Sequence, residues 1–129
     1  MAFGVGHEDR PLTDEETRSL VARGIDGAGL KGRKVLVIIP DHTRTCPIPQ
    51  FFNLICELVH PLAAKLDFLV ALGTHPPMPE EAIAKLVGMT ADERRRRFPK
   101  VRIHNHCWDR PEQLAHIGTI SSDEIEHIS

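Results

Sequence analysis

The chain has 129 residues, 41% of them hydrophobic and 26% charged, with a formal net charge of −2 at pH 7. We expect one globular domain over residues 1–129, without the basic excess of a nucleic-acid-binding protein or the ~20-residue apolar run of a membrane span. Three cysteines without CxxC spacing and a start that lacks a signal-like apolar run favour a cytoplasmic protein without a disulfide framework.

The first part of the chain predicts a helix, a strand and a second helix. Residues 13–16, Thr-Asp-Glu-Glu, have the spacing of a capping box, which predicts a helix that Gly24 ends. Residues 34–40 predict a buried strand because four of them are Val or Ile. Pro47 and Pro49 are typical of the first turn of a helix. The predicted apolar stripe of this second helix consists of Phe51, Leu54, Ile55, Leu58 and Val59.

The second part of the chain continues this alternation. It predicts a strand over 66–72, a short helix over 79–87, a helix that follows a second capping box at Thr90, and a strand over 100–105. The pattern over 113–118 also fits a fourth strand, and 121–129 fits no single element. Such alternation predicts an α/β fold, Rossmann-like, with a mostly parallel sheet and flanking helices. Since no covering helix follows the last strand, we expect an incomplete fold and a homo-oligomer through the exposed sheet edge.

Polar side chains follow three of the predicted strands. Residues 41–44, Asp-His-Thr-Arg, come directly after the first strand, and Gly73-Thr74-His75 follows the second. His104 and His106 stand at the end of the third. In a parallel sheet, the loops at the carboxyl ends of the strands line the ligand crevice. We therefore expect these three loop segments to meet at one pocket.

The first loop segment, residues 41–44, places Asp41 and Arg44 just before the predicted start of a helix. Arg44 offers a bidentate fork for a carboxylate or phosphate, and the free N–H groups of the following helix would favour an anion. The alternative is a polar loop in which Asp41 caps a turn and Arg44 lies on the surface.

The second loop segment, residues 73–75, contains a glycine with a flexible backbone and a histidine that can transfer a proton. Gly73 allows the backbone to approach a ligand closely, and His75 is the side chain best suited to proton transfer near neutral pH. The alternative is a turn glycine followed by an exposed histidine.

The third segment, residues 104–107, contains residue types that bind zinc, but the spacing of ligands in the sequence does not support a metal site. His104 and His106 share a strand face, and Cys107 is a further zinc-ligand type, but no spacing in the sequence completes a tetrahedral set. The four arginines at 94–97 are interpreted as the solvated face of a short helix. Cys46 and Cys56 are interpreted as buried apolar residues rather than nucleophiles.

Taken together, these motifs resemble the N-terminal domain of the nickel-pincer lactate racemase family. The resemblance rests on Val-Ile-Ile-Pro-Asp-His-Thr-Arg at 37–44 and Ala-Leu-Gly-Thr-His-Pro-Pro-Met-Pro-Glu-Glu at 71–81. Asn-His at 105–106, Trp-Asp at 108–109 and residues 114–118 extend it, so that it covers roughly residues 33–120. Two positions depart from the family pattern: Thr45 stands where proline is usual, and Pro76 where arginine is common.

The resemblance implies a racemase or epimerase that inverts a 2-hydroxy acid by hydride transfer through a nicotinate-derived nickel-pincer nucleotide. It implies that His75 is an acid–base residue and that Arg44 holds the substrate carboxylate. Asp41, Thr43, Gly73 and Thr74 would line the cofactor and substrate pocket.

Other parts of the family's site have no counterpart in residues 1–129. These are the glycine-rich segment with the cofactor-tethering lysine, the second catalytic histidine and the nickel-binding histidine. We therefore expect an N-terminal piece that is inactive alone and receives its cofactor only within a full-length protein. Two alternatives stay open: a non-catalytic phosphate- or nucleotide-binding α/β module, and a zinc hydrolase that uses His75, His104 and His106.

Overall fold

The computed structural model describes residues 3–128 and shows a sheet with helices between its strands. The elements in chain order are helix α1 (Asp14–Asp26), strand β1 (Lys34–Pro40), helix α2 (Ile48–Val59), strand β2 (Lys65–Ala71), helices α3 (Glu80–Val87) and α4 (Ala91–Arg97), strand β3 (Val101–Asn105), a 3₁₀ turn (Pro111–Gln113) and helix α5 (Ser122–Ile128). Within the described residues, no helix is long and apolar enough to cross a membrane.

The three strands form a parallel sheet in the order β1-β2-β3. β1 and β2 pair from Lys34 with Lys65 through to Pro40 with Ala71, so their carboxyl ends lie side by side. Helix α2 connects this pair, and α3 and α4 connect β2 with β3. The predicted α/β class, the parallel sheet and the incomplete Rossmann-like arrangement are confirmed.

The core lies between the sheet and α2. Phe68 on the central strand is fully buried, and its ring centroid lies 4.7 Å from that of Phe52 on α2. The residues of α2 that the core buries are Ile48, Phe52, Leu54, Cys56 and Val59. The predicted stripe was therefore partly wrong, because Phe52 and Cys56 face the sheet while Phe51, Ile55 and Leu58 are only half-buried.

The prediction that β1 is a buried strand was wrong for one of its faces. An uninterrupted apolar run is typical of a strand that is covered on both sides. Ile39 packs into the core, but Leu36 and Ile38 point to the other side of the pleat and are 56% and 65% exposed. In the part of the chain that the structure describes, helices therefore cover one face of β1. The homo-oligomer through an exposed sheet edge stays a prediction.

Three helix boundaries depart from or refine the sequence predictions. Helix α1 continues through Gly24 to Asp26, and its C-cap is Gly27, whose N–H bonds to the Arg23 carbonyl. Helix α3 ends at Gly88 as predicted, with Gly88 at φ +67° and no room for a side chain, since a Cβ there would lie 2.7 Å from Pro49. The tail forms α5 after a capping interaction between Ser121 and Glu124.

The fourth strand predicted over 113–118 is absent from the described residues. Gln113 belongs to the 3₁₀ turn, and residues 114–120 form neither a helix nor a strand. A strand needs a partner for its backbone groups, and an apolar pattern alone does not supply one.

The four arginines at 94–97 are not all solvated, as the sequence analysis expected. Arg94 is buried, where its guanidinium donates 3.0 Å to the Met89 carbonyl and pairs with Glu80. It thereby joins the start of α3 to the turn before α4. Among the three cysteines, Cys56 is buried and its pKa is raised to about 12 by burial, whereas Cys46 is exposed, contrary to expectation.

Candidate functional site

The centre of the candidate site is a buried carboxylate in contact with a histidine from the neighbouring strand's loop. Asp41 follows β1 directly and is only 4% exposed. Its Oδ2 lies 2.6 Å from Nδ1 of His75, which belongs to the loop after β2. The parallel register brings these two loops together, because Pro40 and Ala71 are paired at the ends of their strands. Residues 34 positions apart in the sequence thus form one acid–histidine pair.

Thr43 holds the other oxygen of the same carboxylate. Oδ1 of Asp41 accepts a hydrogen bond from the Thr43 amide at 3.0 Å and from the Thr43 hydroxyl at 2.5 Å. The hydroxyl bond from Thr43, then the contact with His75 and the amide bond from Thr43, hold the pKa of Asp41 well below its usual range. Asp41 is therefore ionised near neutral pH and acts only as a hydrogen-bond acceptor.

The ionised carboxylate determines which ring nitrogen of His75 carries a proton. Since Asp41 can only accept, Nδ1 of His75 donates, and Nε2 is left as the atom able to exchange a proton with a ligand. The His75 side chain is 53% exposed, so a molecule in the cleft can reach the ring. The sequence predicts that both residues lie at one pocket, but it does not predict their hydrogen bond.

The backbone of the second loop sets the position of His75. The chain turns at Gly73, whose φ of +60° is a conformation that favours glycine. The turn is closed by the His75 amide, which donates 3.0 Å to the Leu72 carbonyl. Gly73 and Thr74 therefore lie on the wall of the cleft, next to the histidine that they present.

Arg44 lies in the same cleft as His75. The cleft has a volume of about 250 Å³ and is lined by Pro40, Asp41, Thr43, Arg44, Ala71, Leu72, Gly73, Thr74 and His75. The Arg44 side chain is exposed, and its guanidinium has no protein partner within residues 3–128. All six predicted site residues thus border one cavity, and they include an acid–histidine pair and a cation that has no protein partner among residues 3–128.

The start of helix α2 offers fewer N–H groups for anion binding than the sequence predicts. Pro47 and Pro49 have no N–H, and the Ile48 amide already donates 2.8 Å to the Cys46 carbonyl. The prolines thus pre-form the first turn but remove two of the N–H groups that could bind an anion. Positive charge in the cleft comes from Arg44 instead.

Neither His104 nor His106, near the end of β3, lines this cleft. His104 faces Asp67 at 3.6 Å, whereas His75 pairs with Asp41. Across residues 3–128, no three His, Cys, Asp or Glu side chains are grouped so that they could hold a metal ion. The zinc-hydrolase alternative therefore lacks a ligand set in the described part of the chain.

The free energy of unfolding at acidic pH tests whether the fold keeps Asp41 ionised. A carboxyl group whose pKa is lowered by folding adds stability above its unfolded pKa of about 3.9, and this stability is lost as the pH falls through the folded pKa. We therefore expect the free energy of unfolding to decrease below about pH 4. Asp41→Asn should lower stability at neutral pH and flatten this acid-side decrease.

Urea denaturation of both proteins, at neutral pH and at several acidic values, measures this effect. Asp9→Asn, at an exposed position, is the control and should follow the unmodified protein. Equal acid slopes for the unmodified protein and Asp41→Asn would show that Asp41 is not held in its ionised form by the fold. Part of the slope should remain in Asp41→Asn, because hydrogen bonds also lower the pKa of Glu57 and Glu93.

The fold and the cleft define an α/β protein with an acid–histidine pair and a free arginine at the carboxyl ends of parallel strands. The sequence matches the family model for the lactate racemase N-terminal domain over residues 10–128. The chain therefore belongs to the lactate racemase N-terminal domain family, as its motifs indicated.

One solved structure supports the same fold. A crystal structure of a Thermotoga maritima protein, target VR152 of the Northeast Structural Genomics Consortium, is similar with 28% sequence identity and a TM-score of 0.70. The similarity covers 92% of this chain and 27% of that one, so this chain spans about a quarter of the other protein's length. A search of the curated proteins finds no match.

Proposed function

We propose that this chain forms the N-terminal part of the active site of a lactate racemase-like isomerase that inverts a 2-hydroxy acid. The observation that carries the proposal is that Arg44, whose guanidinium has no protein partner within residues 3–128, lines the same cleft as the Asp41–His75 pair. A 2-hydroxy acid presents a carboxylate and, one carbon away, a hydroxyl group. A cation and a base that share a small cleft are suited to these two groups.

Arg44, His75 and Asp41 each have a separate role in the proposed chemistry. Arg44 binds the substrate carboxylate through two parallel N–H···O bonds and so fixes the orientation of the substrate. Nε2 of His75 accepts the proton of the substrate hydroxyl as the carbon–hydrogen bond breaks, and returns it in the reverse step. Asp41 keeps the ring in the required tautomer and stabilises the imidazolium that forms.

The reaction also needs a group that this chain does not supply. No amino-acid side chain accepts hydride, and when bound, a nickel-pincer nucleotide supplies that acceptor. The hydroxyl group of Thr74 and the backbone at Gly73 would fit the polar, anionic part of such a nucleotide, whereas Thr43 lines the same cleft with both of its donors bonded to Asp41. No three His, Cys, Asp or Glu side chains of the described residues are grouped so that they could hold the metal by themselves.

The proposal includes two consequences for the chain by itself. Inversion requires proton acceptors on both faces of the substrate carbon, and this cleft has one histidine base. We therefore propose that residues 1–129 are inactive alone and act within a protein of the family's full length. A cytoplasmic location is part of the same proposal, supported by three cysteines that form no disulfide.

Arg44→Lys tests the proposed role of the arginine. A lysine keeps the charge but makes only one directed bond to a carboxylate, so we expect a loss of about 1.5–3 kcal/mol in substrate binding. This corresponds to a KM for the 2-hydroxy acid that is roughly 10- to 100-fold higher, with a smaller effect on kcat. The measurement is racemisation kinetics of a full-length protein that carries this segment.

Arg102→Lys is the matched control, because Arg102 is exposed on β3 and does not line the cleft. It should leave KM unchanged. An unchanged KM in Arg44→Lys would remove the arginine from the substrate site. Binding of phosphate at Arg44 in a full-length protein that shows no racemisation would favour a non-catalytic phosphate-binding module instead.

A further inference from the structure

Asn105 makes a pair of hydrogen bonds that the proposed chemistry does not use. It is the last residue of β3, and its side chain is partly buried. Its Oδ1 accepts from the Met78 amide at 3.1 Å, and its Nδ2 donates to the Met78 carbonyl at 3.0 Å. The side-chain amide thus satisfies both backbone groups of one residue, as a neighbouring strand would.

Met78 belongs to the loop that presents His75, and this loop has few other backbone donors. Residues 76, 77 and 79 are prolines and have no N–H. Met78 therefore provides the only backbone N–H between His75 and helix α3, and Asn105 accepts it. Met78 is itself buried, so both of its backbone groups need a partner inside the protein.

Asn105 is attached to the rigid part of the molecule. It pairs in register with Val70 of the central strand, and the next amide, that of His106, donates 3.1 Å to the Val70 carbonyl. The loop is consequently held at two points. The Leu72 carbonyl fixes its beginning through the His75 amide, and Asn105 fixes its end through Met78.

We propose that Asn105 is a positioning residue for His75. By holding Met78 to the end of β3, it keeps the proline-rich loop in the one arrangement in which Nδ1 of His75 reaches Asp41. Asn105 does not line the cleft and touches no reacting atom. The effect on catalysis rests on the proposed function, whereas the effect on the geometry of His75 does not.

The geometry is tested on residues 1–129 with two variants and a matched control. Asn105→Ala removes both bonds, and Asn105→Asp keeps the shape but loses the donor to the Met78 carbonyl. Asn53→Ala is the control, because Asn53 also makes two side-chain bonds, to Glu57 and Arg97, far from the loop in the sequence. The readouts are the ¹⁵N chemical shifts of the His75 ring, which report its tautomer, and the hydrogen-exchange rate of the Met78 amide.

We expect the unmodified protein and Asn53→Ala to show the Nδ1–H tautomer of His75 and a slowly exchanging Met78 amide. Both Asn105 variants should show mixed tautomers, and Asn105→Ala should also show faster exchange at Met78, under conditions where circular dichroism shows a folded protein. A retained Nδ1–H tautomer in folded Asn105→Asp would overturn the proposal. Asn105→Asp decides the matter if Asn105→Ala does not fold.

The catalytic consequence is measured separately in a full-length protein that carries this segment. Misplacement of a reacting group by about 1 Å can cost ~10²-fold in rate, so we expect Asn105→Asp to lower kcat by up to this factor with little change in KM. An unchanged kcat alongside mixed tautomers would overturn the catalytic part of the proposal. If the unmodified full-length protein does not racemise any 2-hydroxy acid, the proposed function fails, and the tautomer measurement still decides the positioning role.

Discussion

Replacing His75 with alanine in a full-length protein that carries this segment should lower kcat by about 10²–10⁴-fold. This is the range that proton transfer by a positioned side chain contributes, and alanine offers no group that accepts the hydroxyl proton. The fold should persist, because the His75 side chain is half exposed and lies outside the core. Racemisation rates and thermal unfolding of the same preparations provide the measurement.

His104→Ala is the matched control for this experiment. His104 is similarly exposed but faces Asp67, away from the cleft, so its removal should leave kcat unchanged. Near-normal turnover in His75→Ala would show that His75 is a loop residue and would end its catalytic assignment. Equal losses in both variants would attribute the effect to damage of the fold rather than to lost proton transfer.

We expect the second large effect, a loss of stability, when Phe68 is replaced with alanine. Phe68 is fully buried on the central strand and lies against Phe52, so Phe68→Ala should destabilise the chain by about 3–5 kcal/mol. A loss of this size is a large share of the total stability of a domain, which is typically about 5–15 kcal/mol. Urea denaturation, with the midpoint and slope compared between the proteins, measures the change.

Phe3→Ala is the control for the stability measurement, since Phe3 is 44% exposed and contacts Arg23 at the surface. Its loss should cost less than about 1 kcal/mol. If Phe68→Ala cost no more than Phe3→Ala, the core would not lie between β2 and α2. Such a result would also remove the reason for placing the two site loops side by side.

The local sequence was sufficient to predict the strands and the residues that meet at the candidate site. β1 and β3 contain Val and Ile, and five of the seven residues of β2 are apolar, so the strands appear at or within one residue of their predicted bounds. The alternation of strands with helices predicted the parallel sheet. Once the sheet is parallel, loops after neighbouring strands must meet, and for this reason Asp41, Arg44 and His75 could be assigned to one pocket before the structure was known.

Contacts between distant parts of the chain were beyond the reach of these local patterns. The face of α2 that packs on the sheet is turned from the predicted stripe, because Phe52 has to meet Phe68. Arg94 looked like one of four solvated arginines, but Glu80 and the Met89 carbonyl bind it. No local pattern distinguishes these residues from their neighbours.

The sequence by itself determined the fold class, the family and the set of residues around the cleft, because apolar periodicity and short motifs are encoded over a few neighbouring positions. Only the tertiary structure decided that one face of β1 is left exposed, that Asp41 bonds His75, and that Asn105 holds Met78. These features depend on distances of a few ångströms between residues 27 or more positions apart, such as the 27 between Met78 and Asn105. Only the packed chain sets such distances.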